Sequence, residues 1–167
     1  MAIVDLHGKN PTADGRQSDR AIMVRRGVQH LLKHMRVSAI AEMTLRSGRR
    51  ADLICLSEKG EIWIIEIKTS IEDFRVDRKW PEYRDFCDRL FFATHADVPL
   101  EIFPEDCGLL LADRYGAEMI RPAPEHRLAP ARRKVLTLAF ARTAADRLTY
   151  AELALEKLEA EGVDVRI

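Results

Sequence analysis

The sequence predicts an α/β domain, a mixed central sheet flanked by helices, on three observations. Residues 22 to 35 repeat apolar side chains every three or four positions, the spacing of a helix with one buried face. Residues 39 to 46 and 51 to 68 read as strands instead, the longer run folding back on itself at "SEKGE". Helical sequence then returns, in the charged stretch after residue 70 and again from about 131 to 161.

The elements follow in order. Residues 1 to 17 carry Gly, Pro, Asn and Asp without periodicity and are expected to form a flexible arm, leaving 18 to 167 as a single domain with its core at about 18 to 125. The first helix places Ile22, Val24, Val28, Leu31, Leu32 and Met35 on one side, with Ser18 or Asp19 positioned to cap it. "AIAEMTLR" forms the first strand and ends at a Ser47-Gly48 turn. After the hairpin, "EDFRVDRKWPEYRDFCDRLFFAT" reads as a helix leading into a strand at 89 to 94. "CGLLLAD" and "AEMIRP" pair as a short hairpin around Tyr115-Gly116. A connection with Pro122, Pro124 and Pro130 precedes the C-terminal helices, the second half of which Thr149 is placed to cap.

Composition narrows the function classes. The 27 basic residues balance 27 acidic ones, which argues against a protein that coats nucleic acid by bulk charge. No apolar run approaches the roughly 18 residues of a membrane span, and residues 1 to 10 have no signal-peptide core, so no membrane association and a cytoplasmic location are expected. Cys55, Cys87 and Cys107 are widely separated and lack C-x-x-C spacing, as expected of small apolar residues in a reducing compartment.

Chemistry concentrates in the hairpin. Both faces of "EIWIIEIK" are mostly apolar, so this strand is expected in the sheet interior. A three-residue loop, Glu58-Lys59-Gly60, with Gly60 left-handed, sets Ser57 against Glu61 and therefore Asp52 against Glu66. Alternation brings Lys68 to the face of Glu66. Like charges directly opposed on a sheet destabilise it, and burial aggravates this, so a compensating partner is expected. A hard divalent cation, Mg²⁺ or Mn²⁺, suits two carboxylates. A lysine beside it could orient or deprotonate an attacking water and stabilise a pentavalent phosphorane, which points to metal-assisted phosphodiester hydrolysis. Solvated strand-end charges are the competing reading of these three residues.

The motif Asp52, hairpin, Glu66-Ile67-Lys68, set between helices, resembles the PD-(D/E)XK nuclease superfamily. "RRADLICL" with "IWIIEIKTSIEDFRVDRKWPEYRDFCDRLFFAT" further resembles the MmcB-like family of bacterial DNA repair proteins, over most of 18 to 125. The resemblance implies a restriction-endonuclease-like α-β-β-β-α-β core. It also implies Asp52 and Glu66, joined by the Ile67 carbonyl, as metal ligands, and Lys68 as the catalytic lysine. Ala51 stands where the superfamily motif often has proline. Glu42 is either a further acid near the metal or an ordinary edge-strand glutamate. Lys79 and Tyr83, four apart, are similar to the Q-x-x-x-Y element of RecB-type nucleases, with lysine in place of glutamine. Pro81 between them suits only a first helical turn, which would set Lys79 ahead of the helix.

Contacts to the phosphate backbone fall to Arg25, Arg26, His30 and Lys33 on the first helix, to Arg49-Arg50 beside Asp52, and to Arg132-Arg133-Lys134. His30 and His34 have zinc-compatible spacing but lack the glutamate of H-E-x-x-H and a third ligand, and so read as part of that basic face. Asp73, Arg75 and Asp77 read as capping or substrate-contacting residues, and Trp80 as core or as a lid over the site. The expected partner is DNA, single-stranded, damaged or branched, although nothing in the residues distinguishes DNA from RNA. Other repair proteins and a second copy are further candidate partners, and a non-catalytic repair scaffold on the same fold is the alternative function.

Overall fold

The computed structural model describes residues 19–162; the expected N-terminal arm and Ser18 lie outside them. Helix α1 spans Asp19–His34, and three strands follow: β1 (Ser38–Thr44), β2 (Arg50–Leu56) and β3 (Ile62–Ile67). A short helix α2 (Ile71–Val76) and a 3-10 helix (Trp80–Phe86) lead to β4 (Arg89–Thr94). A second 3-10 turn (Leu100–Ile102) precedes β5 (Gly108–Ala112) and β6 (Ala117–Arg121), and helix α3 (Pro130–Ala160) completes the fold.

The six strands form one sheet in the order β1-β2-β3-β4-β5-β6. β1, β2 and β3 pair antiparallel, as do β5 and β6, whereas β4 runs parallel to β3 and β5. The mixed α/β architecture expected from the sequence is therefore present. All six residues of β3 are buried, as an interior strand requires. The hairpin register is also as expected: Leu53 pairs with Ile65 and Leu56 with Ile62, so Asp52 stands across from Glu66. Gly60 has φ +78°, Gly60 N–H donates to Ser57 O at 2.9 Å, and Ser57 N–H donates to Glu61 O at 3.0 Å.

Each face of the sheet has its own core. Val24, Val28 and Leu32 of α1 cover Leu53, Cys55, Trp63, Ile65, Ile67 and Phe91. Ile54, Ile62, Ile64, Leu90 and Phe92 point the other way, where Tyr83, Phe103 and the α3 residues Leu136 and Phe140 cover them. Gly27 lets α1 lie against the β5–β6 turn, since a Cβ there would collide with the carbonyl oxygens of Asp113 and Gly116.

The structure corrects the sequence reading in three places. First, the stretch after Ser70 is two short helices, not one. Pro81 lacks an N–H and cannot sit in the interior of a continuing helix, so the chain restarts as a 3-10 helix with Pro81 in its first turn and Lys79 at its N-cap. Second, the C-terminal region is one continuous helix of 31 residues, and Thr149 lies within it and caps nothing. No Gly or Pro falls between 131 and 160, so nothing local stops the helix. Third, Arg133 is structural. Its guanidinium grips Asp88, which is 0% exposed, through two bonds of 2.6 Å. Asp88 also accepts the Ile62 N–H (2.8 Å) and the Leu128 N–H (2.9 Å), so one carboxylate ties the start of β3 to the segment entering α3.

Candidate active site

Asp52, Glu66 and Lys68 project from the face opposite α1, because they alternate with Leu53, Ile65 and Ile67. The two acids are tied to each other's strands. Ile67 N–H donates to Asp52 Oδ2 at 2.7 Å, and Asp52 N–H donates to Glu66 Oε1 at 3.2 Å. Glu66 is 4% exposed and Lys68 6%. Burial pushes the Glu66 carboxyl well above its ordinary range, and the neighbouring Asp52 charge pushes it further. Burial also raises Asp52, against the Ile67 N–H and the Lys68 ammonium, which pull it back.

Lys68 is an ammonium held by acids. Its Nζ lies 2.7 Å from Asp77 Oδ2. Burial works against the charge, but the bond to Asp77 and the fields of Asp77, Glu66 and Asp73 outweigh it, and the pKa stands above the ordinary lysine value. The backbone here is fixed from β4: Thr94 Oγ1 donates to Lys68 O at 2.7 Å, and His95 Nε2 lies 3.0 Å from Thr69 O. Ser70 then caps α2, accepting Asp73 N–H at 3.0 Å, while Asp73 Oδ2 accepts Thr69 N–H at 3.2 Å.

Glu42 is placed unusually. Ala41 pairs with Leu53 and Met43 with Ala51, which sets Glu42 opposite Asp52, so Glu42, Asp52 and Glu66 occupy corresponding positions on three adjacent strands. Glu42 has φ +52°, a left-handed backbone that a non-glycine residue rarely adopts. Arg147 of α3 holds this kink by donating to the carbonyls of Ala41 and Glu42.

Tyr83 is buried beside the acids, and its hydroxyl donates to Arg50 O at 3.0 Å. Burial, then the charges of Glu66 and Asp52, raise its pKa. Lys79, its expected companion, is exposed at the helix boundary, where its N–H donates to Asp77 Oδ1 at 3.2 Å. Trp80 packs edge-on against Phe92 at 5.3 Å as part of the core.

The basic residues divide. Arg49 lies on the site's side but is engaged: its Nε is 2.7 Å from Glu82 Oε2, and its guanidinium lies 5.7 Å from the Tyr83 ring centre. Arg50 is exposed at the start of β2. Arg25, Arg26, His30 and Lys33 belong to α1, on the other side of the sheet from Asp52 and Glu66. Sequence reasoning missed Arg147, Thr94 and His95, and it did not pair Asp77 with Lys68.

The donor set fits a hard divalent cation. Two adjacent carboxylates each give one oxygen to a backbone N–H, and among the described residues Asp52 Oδ1 and Glu66 Oε2 accept no hydrogen bond. No cluster of three His, Cys, Asp or Glu side chains able to hold a metal occurs among the described residues. Two carboxylates completed by a backbone carbonyl, water and substrate oxygens is the usual pattern for Mg²⁺.

Fold and site together define an α/β protein with an acid–acid–lysine centre on two adjacent strands of a mixed sheet. The chain belongs to the MmcB-like DNA repair protein family, whose model matches residues 8–155. A solved structure, the SPO1766 protein of unknown function from Silicibacter pomeroyi, is 44% identical and superposes with a TM-score of 0.75, covering 81% of this chain and 93% of its own. No curated protein matched the chain. Among the described residues, no helix is long and apolar enough to cross a membrane.

Proposed function

We propose that this chain is a cytoplasmic DNA repair nuclease of the PD-(D/E)XK type, hydrolysing phosphodiester bonds with Mg²⁺ or Mn²⁺. The observation that carries the reading is the placement of Asp52 across from Glu66, with Lys68 two residues on and on the same face. The order α1-β1-β2-β3-α2-β4 agrees with a restriction-endonuclease-like core, and the family supplies the link to DNA repair.

Asp52, Glu66 and the Ile67 carbonyl would hold the cation. Such an ion, when bound, supplies Lewis acidity and a more acidic water. The chain's own groups do the rest. Because Asp77 keeps Lys68 protonated, Lys68 is a hydrogen-bond donor and not a general base, so its role is to orient the attacking water and stabilise negative charge growing at phosphorus. Deprotonation of the water by Lys68 is disfavoured on the same ground. Tyr83 fixes the backbone of Arg50 beside Asp52, and Arg147 holds the kink that carries Glu42 on the adjacent strand.

The test is cleavage of single-stranded, nicked and branched DNA in Mg²⁺ or Mn²⁺, comparing wild type with Asp52→Ala and Lys68→Ala. Loss of cleavage in both variants is expected; unchanged activity in both would overturn the assigned site. A second reading, a non-catalytic scaffold for other repair proteins, draws on the Lys68–Asp77 pair, which occupies the ammonium a phosphate would need. Calorimetric titration separates the two, because the scaffold requires no Mg²⁺ or Mn²⁺ binding at Asp52 and Glu66.

A further inference from the structure

The outer face of α3 carries a pattern that packing among the described residues does not use. Leu136 and Phe140 are the only residues of this helix that are buried, and with Arg147 they mark the side turned to the sheet. On the opposite side Lys134, Leu138, Ala141, Ala145, Leu148 and Glu152 follow one another at spacings of four, three, four, three and four residues. That is the heptad spacing of a helix seam. All six are exposed; Leu138 is 55% and Leu148 62% exposed.

The stripe is symmetric about residue 143. Turned end for end and laid on a copy of itself, it sets Leu138 against Leu148, Ala141 against Ala145, and Lys134 against Glu152. Each contact then occurs twice, as a two-fold interface requires. The alanines at the centre let two helices approach closely. Charge has the same polarity: residues 130 to 145 contain Arg132, Arg133, Lys134 and Arg142 and no acid, whereas residues 146 to 160 carry Asp146, Glu152, Glu156 and Glu159 against Arg147 and Lys157. A parallel arrangement would oppose Lys134 to Lys134 and Glu152 to Glu152. An antiparallel one opposes basic half to acidic half.

We infer that the outer face of α3 is a dimer interface, formed by antiparallel pairing with α3 of a second copy of this chain. This does not depend on the proposed nuclease activity. Oligomer mass in solution tests it, read by sedimentation velocity or light scattering on the full chain. Wild type is expected to run as two chains. Lys134→Glu and Glu152→Lys each create two like-charge contacts and are expected to weaken association by about tenfold or more. In a mixed dimer of these two variants, position 134 of each copy again faces an opposite charge at position 152 of the other. The mixture is therefore expected to regain the two-chain mass. Leu138→Glu with Leu148→Glu should give a folded monomer, with helical circular dichroism retained because the stripe faces away from the core. A monomeric wild type, a dimer indifferent to all four substitutions, or a mixture no better associated than its components would each overturn the proposal.

Discussion

Lys68 Nζ and Asp77 Oδ2 lie 2.7 Å apart, with 7% and 20% of their side chains exposed. A buried ammonium is tolerable only when paired, and Asp77 is the partner that offsets its desolvation. Removing that carboxylate leaves the charge stranded. Asp77→Asn is therefore expected to destabilise the fold by about 3 kcal/mol and to lower the Lys68 pKa. The sign follows from linkage: the folded pKa is raised, so the pair's contribution is full below the unfolded lysine value and fades as pH rises through the folded one. Denaturant unfolding at neutral and strongly alkaline pH checks this, since wild type and variant should converge at the alkaline end. A gap that stays constant with pH would count against it.

Asp52 and Glu66 invert that logic. Burial raises both pKa values, and the Asp52 charge raises Glu66 further, so two ionised carboxylates oppose the fold. Glu66→Gln keeps an oxygen for the Asp52 N–H and removes one charge. In metal-free solution at neutral pH it is expected to raise the melting temperature by about 2–4 °C, the equivalent of roughly 1 kcal/mol in a chain of this size. For an acid with a raised folded pKa the penalty is full above that pKa, fades as pH falls below it and is gone below the unfolded glutamate value, so the gain should vanish in acid. Added Mg²⁺ should reverse the order, stabilising wild type alone. An unaltered or lower melting temperature for the variant without metal would contradict the account.

The parts of the site visible in the sequence are those fixed by local geometry. Gly60 sets a three-residue turn, the turn sets the register, and alternation assigns Asp52, Glu66 and Lys68 to one face. Distant contacts leave no such trace. Arg147 reaches Ala41 from 106 residues away, and Arg133 finds Asp88 across 45; neither has a local pattern that distinguishes it from a solvated helix charge. The basic face of α1 was legible as a face, but which side of the sheet it covers depends on topology, and it lies away from the acids. The helix break near Asp77 was obscured because propensity favours helix on both sides of Pro81.

Asp88 is expected to be among the most sensitive positions in the fold. Its carboxylate satisfies two backbone N–H groups and a bidentate arginine at no exposure. Burial opposes its ionisation, yet Arg133 and the two N–H groups outweigh this and hold its pKa below the ordinary value. Arg133→Ala should cost about 3–5 kcal/mol by leaving that charge unpaired, and Arg133→Lys should recover only part, since one ammonium cannot reproduce the fork. With a depressed folded pKa, the stabilisation exists above the unfolded aspartate value and is lost as pH falls through the folded one. Thermal melts from pH 7 to pH 3 are the check: the deficit of Arg133→Ala should shrink in acid.

Arg147 separates structure from activity most sharply. Burial lowers its pKa, partly countered by Glu42, so the guanidinium is kept in a position that costs solvation. What it holds there is the backbone of Ala41 and Glu42, the kink at φ +52° across the strand from Asp52. Arg147→Met keeps much of the apolar stem and strands two carbonyls, which should cost about 1–3 kcal/mol. If the kink serves the site, DNA cleavage well below the melting temperature should fall further than that loss accounts for, and Arg147→Lys, able to reach one carbonyl, should fall between. Cleavage equal to wild type in a folded Arg147→Met protein would make the arginine a packing residue only, with the left-handed Glu42 incidental to the chemistry.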